Sequence, residues 1–155
     1  MSEILFVCLG NICRSPLAEA IFNHKVEKKG FADRFKADSA GTSNYHIGEP
    51  PDKRTISNAL KNGVTIQHRG RQVKVMDFEH YDYVFAMDNS NLESITRLSN
   101  GSARAKIDLI RTYDPVSKGG EVPDPYYGGE KGFQEVFEML DRTIEHLITE
   151  LTKEE

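Results

Sequence analysis

Cysteine is scarce in this chain: two among 155 residues, Cys8 and Cys13. A pair so close together builds no disulfide framework, and thiols kept free for chemistry are typical of a reducing compartment. Long apolar runs are missing too. No basic leader, cleavable apolar segment or uncharged span of membrane length is present, so the expected location is the cytoplasm, with no membrane association. Nor is there a surplus of positive charge. Lys and Arg number 20 against 24 Asp and Glu, a formal net charge of −4, whereas binding by counterion release needs a concentrated basic face. Nucleic acid is therefore not an expected partner, and small molecules or proteins are. Two nucleotide signatures, GxGxxG and GxxxxGK[ST], are also missing. Among His24, His46, His68, His80 and His146 no ligand pair stands at metal spacing to join Cys8 and Cys13, so neither a metal nor a cofactor is expected.

The chain is long enough to bury a core without staples, and one domain over residues 1–155 is expected. Ile4-Leu5-Phe6-Val7 reads as a first buried strand. Leu17, Ala18, Ile21, Phe22 and Val26 recur at helical spacing between Pro16 and Lys29, with Gly30 as the stop. A second helix is signalled by Ile56, Ala59 and Leu60 before Asn62-Gly63. A third follows Ser90-Asn91-Leu92-Glu93, which reads as a capping box. The last helix carries the clearest stripe: Phe133, Val136, Phe137, Leu140, Ile144, Leu147 and Leu151. Further strands are expected around Phe35 to Ser39, Tyr83 to Met87 and Lys106 to Ile110, each covered on both faces. The order βαβαβαβα predicts an α/β three-layer sandwich, a four-stranded parallel sheet flanked by helices, with right-handed crossovers. Ligands in such sheets bind beyond the carboxyl ends of the strands. The segment Asp114 to Lys131, rich in Gly and Pro, is long for a connection, and long loops in compact domains are often functional.

One such strand end carries Cys8-Leu9-Gly10-Asn11-Ile12-Cys13-Arg14-Ser15-Pro16, directly after the first apolar run. A strand that ends in a tight loop and opens a helix aims N–H groups and positive potential at one spot, which suits an anion. Leu9, Gly10, Asn11, Ile12, Cys13, Arg14 and Ser15 thus form an expected phosphate-binding loop after the first strand. Cys8 is placed as a nucleophile, and Arg14 supplies a planar fork for two phosphate oxygens. Gly10 and Asn11 tolerate positive φ, and Ser15 can cap the helix or bond the sulfur. The competing reading is a pair of packing cysteines. A lone Cys would favour it; the combined pattern does not. Lys53, Arg54, His68, Arg69, Arg71 and Lys74 form a local basic group that can steer an anion or simply be a solvated face.

The loop together with DPYYGG at 124–129 resembles the low-molecular-weight protein tyrosine phosphatase family. DSAGTSNYHIGEPPDKR, HRGRQ and FAMDNSNL agree as well, so the likeness covers essentially the whole chain. The resemblance implies a cysteine-dependent phosphatase that hydrolyses phosphotyrosine in proteins, and small aryl phosphates, through a cysteinyl-phosphate. It makes Cys8 the nucleophile, Arg14 the phosphate ligand and Ser15 the hydroxyl that helps sulfur leave. Asp124 becomes the proton donor, a role that expulsion of an aryloxide also requires, although Pro-Asp-Pro read alone is a turn. Asn11, Ser15, Ser39 and His68 become a supporting network, and Tyr126 and Tyr127 a substrate-cleft pair. Leu9, Ile12 and Tyr45 are further apolar walls for an aromatic ring. Expected partners are phosphotyrosine-containing proteins, with inorganic phosphate or other oxyanions at the active site. Cys13 is a candidate redox partner, able to trap an oxidised Cys8 as a disulfide, or else a packing cysteine.

Three rivals stand beside this reading. Arsenate reductases of the same fold relay electrons through two downstream cysteines, and none follows Cys13. Protein-arginine phosphatases resemble this loop with Thr in place of Ile12. A non-catalytic phosphoprotein-binding module or redox sensor has no need of Cys8, Arg14 and Asp124 together.

Overall fold

The computed structural model describes residues 1–101 and 103–154, with Tyr127 described as backbone only. β1 (Ser2–Cys8) runs through the middle of the sheet. β2 (Phe35–Gly41) and β3 (Tyr83–Ala86) pair with it on either side, and β4 (Lys106–Leu109) pairs with β3. All three pairings are parallel, in the order β2-β1-β3-β4. Alternation along the strands divides the core in two. Ile4, Phe6, Cys8, Phe35 and Phe85 face α1 (Arg14–Lys28), α2 (Lys53–Lys61) and α5 (Gly129–Lys153). Leu5, Val7, Ala40 and Val84 face α3 (Asp77–His80) and α4 (Asn89–Ser99). The expected three-layer sandwich with its four-stranded parallel sheet is the observed one.

The Phe6 ring sits 6.0 Å from Phe22 and 6.1 Å from Phe85, tying α1 to the sheet. Truncating such a buried ring to Ala removes about 3–5 kcal/mol. α1 and α5 lie together, and Lys25 and Lys29 reach Asp141 and Glu145 at 3.1 and 2.8 Å along their edge. α5 buries the expected stripe from Phe133 to Leu151.

Several boundaries differ from the sequence reading. α1 starts at Arg14 rather than Pro16, its first turn closed by Leu17 N–H on the Cys13 carbonyl at 3.3 Å. Ser15 is therefore inside the helix and does not cap it. α4 is capped by Asp88, whose carboxylate accepts from Asn91 N–H at 2.7 Å, so the box at Ser90 is not used. β4 lies at the sheet edge with Lys106 and Asp108 exposed, so it is not covered on both faces. α3 and the 3-10 turns Ile110–Tyr113 and Pro125–Tyr127 are additional elements. Leu60 of α2 is exposed although its spacing suggested burial.

The long 114–124 connection is tied down at both ends. Asp114, fully buried, accepts from Arg111 Nε at 2.9 Å and Arg142 Nε at 3.0 Å. Arg111 also donates to the Glu121 carbonyl at 2.6 Å, and Val122 N–H donates to Met87 O at 2.7 Å. The segment that leads to Asp124 is thereby docked on the end of β3.

Candidate active site

β1 delivers Cys8 to the carboxyl end of the sheet, and the chain turns at once through residues 9–13 into α1. Three loop carbonyls are engaged from outside: Thr42 N–H donates to Cys8 O at 2.9 Å, Ser43 to Leu9 O at 3.0 Å and Asp52 to Ile12 O at 2.8 Å. The inner side is left to donors. Asn11 N–H points at the Cys8 Sγ from 3.3 Å, and the Ser15 hydroxyl lies 3.0 Å from it. Gly41 is required beside this turn, since a Cβ there would meet Leu9 O at 2.8 Å.

Asn11 has φ of 57°, the left-handed region that Asn tolerates better than most residues. Four partners fix it there. Its amide nitrogen donates to Ser15 Oγ at 2.8 Å and Ser39 Oγ at 3.0 Å. Its oxygen accepts from Arg71 N–H at 3.0 Å and lies 2.7 Å from His68 Nε2. Every hydrogen-bonding position of the amide is thus used. Behind it, Glu19 Oε1 accepts from Ser39 Oγ at 2.7 Å and faces His68 Nδ1 at 3.0 Å. Glu19, Asp38 and His68 bring ligand-type atoms within 4.8 Å of one another. Both His68 nitrogens already serve this brace.

Arg14 is 4 % exposed, and its Nη1 donates to Asp88 Oδ2 at 2.8 Å and to the Val122 carbonyl at 2.9 Å. Burial opposes its charge, but Cys8 and Asp88 outweigh burial and raise the guanidinium pKa above its ordinary value. The fork is fixed and charged beside the sulfur. Cys13, on the same loop, is buried as a free thiol. Desolvation, helped by the negative charge of Asp52 and Cys8 and opposed by the Thr55 hydroxyl, pushes it up to about 12.

A cleft of about 280 Å³ opens above the loop. Cys8 and Arg14 form its floor, and Leu9, Ile12, Tyr45 and Tyr126 its apolar sides. Asp124 lines the same cleft and caps the turn Pro125–Tyr127 through a 3.0 Å bond from Tyr126 N–H. The structure therefore brings together Cys8, Leu9, Gly10, Ile12, Cys13, Arg14, Tyr45, Asp124 and Tyr126 around one space, with Asn11, Ser15, Ser39 and His68 below. Tyr45 is 72 % exposed and flanks the mouth rather than the floor. The side chain of Tyr127 lies outside the described residues.

The basic group of the sequence does not form one patch. His68 is buried against Asn11, Arg71 pairs with Asp77 at 3.1 Å, and Arg54 pairs with Asp52 at 3.0 Å. Sequence reasoning missed Asp88, Glu19 and His46, and read Arg54 only as one of a local basic group. Asp88 was legible in principle, as a carboxylate directly beyond a strand end facing the same crevice. His46 lines the cleft and pairs with Glu49 at 3.0 Å, and nothing in its spacing marks it.

An anion cradle floored by a thiol at the crest of a parallel sheet defines the class: a phosphatase built on a cysteine. The chain belongs to the low molecular weight phosphotyrosine protein phosphatase family, whose model matches residues 3–155. It is 47 % identical over 139 residues to such a phosphatase of Schizosaccharomyces pombe, covering 89 % of each chain. A solved protein tyrosine phosphatase from Entamoeba histolytica, with Hepes in its active site, superposes with a TM-score of 0.94 at 39 % identity. That match covers 99 % of this chain and 98 % of the other. An arginine phosphatase from Drosophila shares the fold at 33 % identity and a TM-score of 0.89, covering 97 % and 98 %. Among the described residues no helix is long and apolar enough to cross a membrane.

Proposed function

We propose that this chain hydrolyses phosphotyrosine in proteins, and small aryl phosphates, through a cysteinyl-phosphate formed on Cys8. The observation that carries the reading is the floor of the cleft, where Asn11 N–H and Ser15 Oγ converge on Cys8 Sγ beside the fixed Arg14 fork. The substrate's three phosphoryl oxygens take the loop N–H groups and Arg14 as partners, and charge growing on them in the transition state is met by donors already in place. The thiolate of Cys8 attacks phosphorus in line, and the bond from phosphorus to the ring oxygen breaks. Asp124 gives its proton to that oxygen, so a neutral phenol leaves. In the second step the Asp124 carboxylate takes a proton from water, the water oxygen bonds phosphorus, and sulfur departs as a thiolate. Ser15 donates to the departing sulfur. Products are a tyrosine side chain and inorganic phosphate.

The aromatic sides supplied by Tyr126 and Tyr45, with Ile12 and Leu9 between them, suit a flat ring attached to the phosphate. Ile12 also speaks against phosphoarginine, since a branched apolar side chain offers a guanidinium no hydrogen bond. The reading is tested by hydrolysis of a phosphotyrosine peptide. Cys8→Ser abolishes turnover, Arg14→Ala removes most of it, and Asp124→Ala slows it by roughly 10²–10⁴, the range for a lost general acid. Activity that survives Cys8→Ser refutes the mechanism.

Cys13 is proposed as the redox partner of Cys8. Peroxide converts the Cys8 thiolate to a sulfenic acid, and the Cys13 thiol displaces water from it to leave a disulfide. Equal recovery of wild type and Cys13→Ser after peroxide and then reductant would sink this idea. Two buried free thiols fit a reducing compartment, so the proposed location is the cytoplasm, and one phosphatase domain over 1–155 is the proposed organisation.

A further inference from the structure

Arg54 lies outside the cleft, yet all three nitrogens of its guanidinium are engaged. Nε and Nη2 reach the two oxygens of Asp52 at 3.1 and 3.0 Å, while Nη1 donates to the Tyr126 carbonyl at 2.8 Å. Its flat face covers the Tyr126 and Phe133 rings, each with a centroid 4.8 Å away. Asp52 is itself the cap of α2, accepting from Arg54 N–H at 2.8 Å, and its own N–H donates to Ile12 O in the phosphate loop. Tyr126 is held from both sides: its N–H by the Asp124 carboxylate at 3.0 Å and its C=O by Arg54.

We infer that Arg54 is a positioning residue for the proton donor, bracing the turn that carries Asp124 and Tyr126 against the phosphate loop through Asp52. This rests on the assignment of Asp124 as general acid. The turn Pro125–Tyr127 is a single 3-10 turn, too short to hold a carboxylate in place by itself. A rigid fork spanning Asp52 and a carbonyl supplies the missing restraint, and Lys, a point charge on a flexible stem, cannot span both while stacking on a ring. Displacement of a reacting group by about 1 Å is enough to lose roughly 10²-fold in rate.

The test compares kcat/KM for phenyl phosphate, whose leaving group needs a proton, with that for p-nitrophenyl phosphate, whose leaving group needs it far less. Arg54→Gln and Arg54→Lys are each expected to lose about tenfold or more on phenyl phosphate and much less on p-nitrophenyl phosphate. Inhibition by inorganic phosphate stays within about twofold, because the loop and Arg14 are untouched. On an Asp124→Asn background Arg54→Gln adds little, since the two act as one unit. Equal losses on both substrates, full rescue by Lys, weakened phosphate inhibition or additive losses on the Asp124→Asn background would each overturn the inference. Failure of the underlying assignment looks different: Asp124→Asn alone would then leave the ratio between the two substrates unchanged.

Discussion

The hydroxyl of Ser15 accepts the Asn11 amide N–H at 2.8 Å and stands 3.0 Å from the Cys8 sulfur. A serine hydroxyl has one proton, and with Asn11 donating to its oxygen that proton is left for sulfur or for Ala40 O, which is farther at 3.4 Å. The network beneath the loop thereby aims a donor at the nucleophile.

Ser15→Ala is accordingly expected to lower kcat by roughly ten- to a hundredfold with KM falling alongside it and kcat/KM little changed, since sulfur loses a donor when it leaves phosphorus in the second step. Rapid-quench measurement with p-nitrophenyl phosphate checks this. A burst of p-nitrophenol larger than that of wild type is the expected sign of a slowed second step.

Asn11→Ala places a residue poorly suited to φ of 57° and removes four hydrogen bonds at once. A loss of about 2–3 kcal/mol in urea denaturation is expected. Inorganic phosphate should inhibit the variant at least tenfold more weakly, as the amides no longer converge.

Asp114→Asn tests the anchor of the loop that leads to Asp124. Burial favours the neutral acid, but bonds from Arg142, Val116 N–H and Arg111 outweigh it and hold the carboxyl well below its usual range. A carboxyl depressed in the folded state contributes stability above its unfolded pKa of about 3.9, and that stability is lost as pH falls through the folded value. The variant should be about 3 kcal/mol less stable at pH 7. Chemical denaturation at descending pH should show the gap closing below about pH 4.

Ile12→Thr probes substrate choice. Its side chain lines the cleft, and a hydroxyl there gives phosphoarginine a partner while removing apolar contact from a phosphotyrosine ring. The ratio of kcat/KM for phosphotyrosine over phosphoarginine peptides is expected to fall by about tenfold or more. An unchanged ratio would remove Ile12 as a determinant.

How much of this could be read from the chain follows from range of interaction. Period and punctuation are local, so β1, the stripe of α5 and the stop at Gly30, with φ of 77°, were legible. The four-residue α3 and the 3-10 turns are too short to show a period, and the cap of α4 passed to Asp88 because its carboxylate precedes the helix. In the site, Cys8, Arg14 and Ser15 share one contiguous stretch of chain, whereas Asp88 and Arg54 come from distant segments, and Glu19, one turn along α1 from Ser15, joins the brace only because β2 brings Ser39 beside it. Leu60 and Tyr45 are apolar by type but exposed, which pattern alone does not reveal.

In the proposed mechanism every phosphoryl group passes through the sulfur of Cys8. Its most direct test is mass spectrometry of Asp124→Asn enzyme, acid-quenched during turnover of an aryl phosphate and then digested. One added phosphoryl group is expected on the peptide that contains Cys8, and none in the same enzyme carrying Cys8→Ser. A phosphoryl group on any other residue, or steady turnover by the Cys8→Ser enzyme, would contradict it.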